Sequence, residues 1–106
     1  MDKEVHKTII EYKRRLEEMG IKVKKIILYG SFATRNVKEN SDIDLVVISD
    51  DFKDLDIWER LCLLGRVRIG IRIPMEILGY TEKEFNSKRK GSFIFDEVKS
   101  KGIEIK

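Results

Sequence analysis

The segment Ile43–Ile48, reading Ile-Asp-Leu-Val-Val-Ile, constrains the fold more than any other stretch of this 106-residue chain. It is rich in β-branched residues and apolar except at Asp44, so it reads as a central strand buried on both faces. Such a strand belongs in the middle of a sheet with cover above and below. The cover is legible upstream, where Val5, Ile9, Tyr12, Leu16 and Met19 recur at alternating steps of four and three. That spacing predicts an amphipathic helix, opened by Asp2 as cap and ended by Gly20 in a left-handed turn.

The remaining elements follow from the same signals. Ile21 to Tyr29 is β-rich and stops at Gly30-Ser31, and Ser49-Asp50-Asp51 reads as the turn after the central strand. Asp54 or Asp56 opens a second long helix, with Glu59 placed three residues after Asp56 as in a capping box. Its apolar face is expected to run through Ile57, Leu61 and Leu64 with Trp58 alongside, and Gly65 and Gly70 to loosen its end. Ile71 to Tyr80 reads as a third strand, which Pro74 places at an edge or a bulge. Thr81 to Glu84 is a capping-box start for a short helix; Ser92 begins another that ends near Gly102, and Ile103 and Ile105 form a last strand. The order α-β-α-β-α-β-α-α-β predicts an α/β or α+β fold, one domain over residues 1–106.

Charge narrows the function classes. Lys and Arg number 22 against 19 Asp and Glu, a net charge of +3, too mild for a dedicated nucleic-acid binder and suited to one polyanionic small molecule. Lys22, Lys24, Lys25 and Lys88-Arg89-Lys90 lack interleaved aromatics to stack bases and read as solvated faces. A charged share of 39% without glutamine suggests a thermophilic source. Cys62, the one cysteine, excludes an internal disulfide and reads as a buried thiol within Leu61-Cys62-Leu63-Leu64. No apolar stretch reaches membrane-spanning length and the charged start lacks a signal-peptide core, so a cytoplasmic location is expected. His6 is expected at the surface, Trp58, Phe93 and Phe95 in the core, and Arg66, Arg68 and Arg72 in ion pairs.

The chemistry concentrates between Gly30 and Asp44. A glycine at a strand end permits a sharp turn and close approach to a ligand, and Ser31 would head a short helix whose free N–H groups favour phosphate. Alone, the pair reads equally as a turn with an N-cap. Asp42 and Asp44, two apart on a strand, project from the same face. Two readings stand for them: hard oxygen ligands for Mg²⁺ or Mn²⁺, or a turn cap at Asp42 and a solvated Asp44. Joined, they give Gly-Ser-x10-Asp-x-Asp, whose chance occurrence in a chain of this length is on the order of one in a thousand.

With that spacing, Gly30-Ser31-Phe32-Ala33 through Asn40-Ser41-Asp42-Ile43-Asp44-Leu45-Val46-Val47 resembles the minimal nucleotidyltransferases of the DNA polymerase beta superfamily. The resemblance implies a small nucleotidyltransferase domain with a mixed sheet flanked by helices, and a third carboxylate on a later strand. Glu76 stands there, where relatives commonly have Asp; read by itself, it is an acid in an apolar strand or a solvated edge glutamate. Thr34-Arg35-Asn36 departs from the Ala-Arg-Gly usual in relatives, so no role passes to Arg35. The implied activity is transfer of AMP from ATP to a hydroxyl. Asp42, Asp44 and Glu76 would hold two Mg²⁺ ions, and Gly30 and Ser31 would seat the phosphates. A stand-alone domain of this kind resembles the antitoxin of a toxin–antitoxin pair whose partner is a helical HEPN ribonuclease modified on a tyrosine. The alternative is a non-catalytic antitoxin that neutralises its toxin by contact.

Overall fold

A computed structural model describes residues 2–38 and 41–106; Asn40 of the motif lies outside them. Helix α1 (Lys3–Glu18) begins at Asp2, whose carboxylate accepts the Glu4 and Val5 N–H groups, and is followed by Gly20 at φ 91°. Strand β1 (Lys25–Tyr29) leads into the one-turn helix α2 (Ser31–Thr34), and β2 (Ile43–Ile48) follows. Then come α3 (Ile57–Val67), β3 (Met75–Tyr80), α4 (Glu82–Asn86), a π-helical segment Ile94–Lys99 and β4 (Ile103–Ile105). The sheet order is β3-β2-β1-β4, with β2 parallel to β3 and antiparallel to β1, and β4 antiparallel to β1. This is the expected mixed sheet with β2 inside it.

Because β2 alternates sides, its two faces feed two cores. Ile43, Leu45 and Val47 join Val5, Ile9, Tyr12 and Leu16 of α1 and Leu64 and Val67 of α3. Val46 and Ile48 join Ile27, Phe85, Ile94 and Val98 on the opposite face. Tyr12 ties the first layer together, donating its hydroxyl proton to the Leu64 carbonyl at 2.7 Å. Arg15 donates to the carbonyls of Val67 and Ile69, satisfying the open end of α3.

Helix α3 corrects several expectations. Asp56 is its cap, with Glu59 closing the capping box, and Gly65 lies inside the helix. The inward face carries Arg60, Leu64 and Val67, whereas Ile57 is 67% and Trp58 72% exposed, with Leu61 and Cys62 exposed beside them. Cys62 is therefore not a buried thiol, and Trp58 does not pack the core. Apolar residues occur on both sides of this helix, and Arg60 holds the inward position because every polar atom on it is satisfied. It donates to the carbonyls of Leu55 at 2.9 Å, Phe52 at 2.7 Å and Gly79 at 3.2 Å, and grips Glu84 in a two-pronged pair.

Among the described residues, Arg66, Arg68 and Arg72 form no ion pair; the cations that do are Arg14, Arg15, Lys24, Arg60 and Lys101. Phe93 is half exposed. Both flanking strands are shorter than expected: β1 starts at Lys25 because the Lys22 N–H turns to the Asp51 carboxylate, and β3 starts after Pro74, which has no N–H to donate.

Candidate active site

Asp44 is the second residue of β2, and the register sets it between Tyr29 of β1 and Glu76 of β3. Parallel partners in register share a sheet face, so Asp44 and Glu76 project side by side. Asp42, two residues upstream, is exposed, and its charge acts on Asp44 as well. Burial first, then repulsion from Glu76 and from Asp42, pushes the Asp44 carboxyl from 3.8 up to about 6. All three acids thus gather at one end of the two parallel strands. They stand on the face that carries Phe85, Ile94 and Val98, away from α1 and α3.

The two halves of the motif meet in space. Gly30 adopts φ 74° and ψ −152°, a conformation that side-chain-bearing residues rarely take, and a Cβ built there would collide with the Asp44 Oδ2. The glycine is therefore required twice, for its backbone and for the close approach of the carboxylate. Beyond it, Ala33 and Thr34 donate to the Gly30 carbonyl, and the N–H groups of Ser31 and Phe32, the other first-turn donors of α2, have no backbone partner among the described residues. Ser31 is half-buried at that turn. Arg35 ends α2 in the left-handed region at φ 62° and is exposed. Ahead of β2, the Ser41 hydroxyl accepts the Lys38 N–H at 2.8 Å.

Sequence reasoning missed Tyr29. It is buried, its ring meets Phe93 edge to face at 5.6 Å, and its phenol is held protonated by burial and then by the charges of Asp44 and Glu76. Its position immediately before Gly30-Ser31 is the signal that could have found it, since antiparallel register brings a strand end to Asp44.

The donor set fits a hard divalent cation: carboxylate oxygens only, with one acid made reluctant to ionise by burial and then by its acidic neighbours. Among the described residues no three such groups close into a preformed cation cage, which agrees with Asp42 and Glu76 being exposed. A pocket of about 360 Å³ lies beside α2, lined by Phe32, Ala33, Arg35, Val37, Asp2 and Ile103; Asp42, Asp44 and Glu76 do not line it.

Comparison with known proteins sets this geometry in context. A family model for the nucleotidyltransferase domain matches residues 9–105. A candidate protein adenylyltransferase of Methanocaldococcus jannaschii is 36% identical over 72 residues, 68% of each chain. The crystal structure of a candidate nucleotidyltransferase from Sulfolobus solfataricus superposes with a TM-score of 0.67 at 16% identity, covering 95% of this chain and 78% of that one. A toxin–antitoxin structure with AMP-PNP gives 0.64 at 22% identity, covering 95% and 72%. These two structural likenesses bear on the fold.

Proposed function

The chain belongs to the nucleotidyltransferase domain family, and on that premise we propose that it transfers AMP from ATP to a hydroxyl of a partner protein. The observation that carries this reading is the contact between the two motif halves, which sets Gly30 and the first turn of α2 directly against Asp44. In the proposed site Asp42, Asp44 and Glu76 would hold two divalent ions, Mg²⁺ or Mn²⁺. Such ions, when bound, neutralise triphosphate charge and ease deprotonation of a hydroxyl. The N–H groups of Ser31 and Phe32 would meet the β- and γ-phosphates, and Gly30 would admit them without a side chain in the way. Glu76, exposed on the edge strand, would also accept the proton of an incoming hydroxyl. The phosphorus–oxygen bond to pyrophosphate breaks as the bond to the acceptor forms, and no protein nucleophile takes part.

The acceptor is proposed as a tyrosine of a HEPN-type toxin. Support comes from the motif's resemblance, from the adenylyltransferase name of the archaeal relative and from the toxin–antitoxin neighbour. With Mg²⁺ and labelled ATP, the purified chain should label its partner, and Asp44→Asn should abolish labelling. Undiminished labelling by that variant overturns the assignment. A second reading, neutralisation by contact alone, is favoured by the Glu at position 76 and its exposure on an edge strand. It wins if the Asp42→Asn/Asp44→Asn double variant still protects cells from the toxin.

A further inference from the structure

The outward side of α3 is the least explained surface of the molecule. Trp58, Leu61, Cys62 and Gly65 recur along it, and Ile69, 71% exposed, continues the line beyond the helix end. These positions lie opposite the buried Arg60, Leu64 and Val67, so they form one stripe. Along its centre line, with Leu61 to one side, Trp58 and Ile69 are large and Cys62 and Gly65 between them are small; a Cβ added at Gly65 meets nothing within 4 Å. Charge is graded along the same helix. Asp54, Asp56 and Glu59 are at its start and Arg66 and Arg68 at its end. None of these five forms an ion pair among the described residues.

We propose that this face pairs with the α3 of a second copy of the chain, antiparallel and about a two-fold axis near Cys62. In that arrangement Trp58 of each copy covers Gly65 of the other, because positions 58 and 65 are equally far from the axis. Glu59 and Arg66 share one rim of the stripe, and the two-fold brings Glu59 of one copy to Arg66 of the other, twice. The small residues at the centre let the helices approach closely. A parallel pairing would stack acid on acid and Trp58 on Trp58. The stripe faces away from the sheet on the α1/α3 side, so pairing leaves Asp44 and Glu76 open on the opposite face.

One helix pair covers less than the ~800 Å² per partner of a standard interface, so a micromolar dimer is expected. Sedimentation velocity over roughly 1–200 µM tests it. The expected result is a concentration-dependent dimer, with a short bismaleimide joining Cys62 of the two copies. Trp58→Ala and Gly65→Arg should both give monomer at every concentration. Gly65→Arg fills open space and replaces a helix glycine with a better helix former, so its fold is retained and its urea midpoint should not fall. A wild type that stays monomeric, or a dimer that survives Gly65→Arg, overturns the proposal. So does a monomeric wild type whose Gly65→Arg variant instead loses binding to a purified partner protein, because the face then serves that partner.

Discussion

At Gly30 two independent constraints fall on one residue. The backbone needs positive φ, and the hydrogen in place of a Cβ leaves room for the Asp44 carboxylate. Gly30→Ala should therefore cost about 1–3 kcal/mol in urea unfolding. It should also reduce AMP transfer by at least roughly a hundredfold, since a displacement of ~1 Å at a reacting centre carries that penalty. A variant with wild-type transfer would show that Gly30 serves only the turn. Asp44 makes a prediction of opposite sign. Its carboxyl sits near 6 in the folded chain against 3.8 as its ordinary value, so folding tightens proton binding there. That contribution to stability is complete below the ordinary value and is lost as pH rises through about 6. In EDTA at pH 8, Asp44→Asn should be more stable than the wild type by about 1–2 kcal/mol, allowing for screening of a half-buried group. The gap should close toward pH 4, where both side chains are neutral. Adding Mg²⁺ at pH 8 should stabilise the wild type and leave the variant unmoved.

Among the elements, α3 separates what the letters encode from what they leave open. Its start was legible as Asp54 or Asp56, with the capping box pointing to Asp56, because the Asp56 and Glu59 carboxylates accept each other's backbone N–H locally, without reference to the rest of the chain. Its inward face was not. Periodicity counts apolar residues, and α3 has them on both sides; the choice was made by Arg60, whose partners Leu55, Phe52, Gly79 and Glu84 come from separate parts of the sequence. Asp42, Asp44 and their spacing from Gly30 were legible for the reason that Asp56 was, being pattern within one segment. The neighbourhood of Tyr29 depends on strand register, which no single segment reveals. Arg60 is 5% exposed, so Arg60→Ala should lower stability by about 3–5 kcal/mol by urea unfolding, leaving carbonyls and Glu84 without their donor. Glu84→Gln should cost less, since that carboxylate, held below its usual range by Arg60, still reaches water. Equal losses would mean the ion pair, and not the carbonyl contacts, holds α3 in place.

Across the whole molecule the sheet divides unequal layers. On one side a long helix and α3 seal the larger core; on the other, a five-residue helix and the π-helical segment Ile94–Lys99 cover a smaller one. The acids, Tyr29 and the Gly30 turn face the thinner layer, so the proposed chemistry sits where local opening costs least. Native-state hydrogen exchange should resolve this. Amides of Glu82–Asn86 and Ile94–Lys99 should open at free energies a few kcal/mol below those of α1 and the β1–β2 ladder. A non-hydrolysable ATP analogue with Mg²⁺ should then protect amides around Ser31 and Asp44, raising their opening cost by ~2.7 kcal/mol at a hundred times its dissociation constant. Layers that open together would make the sheet and both covers one cooperative unit.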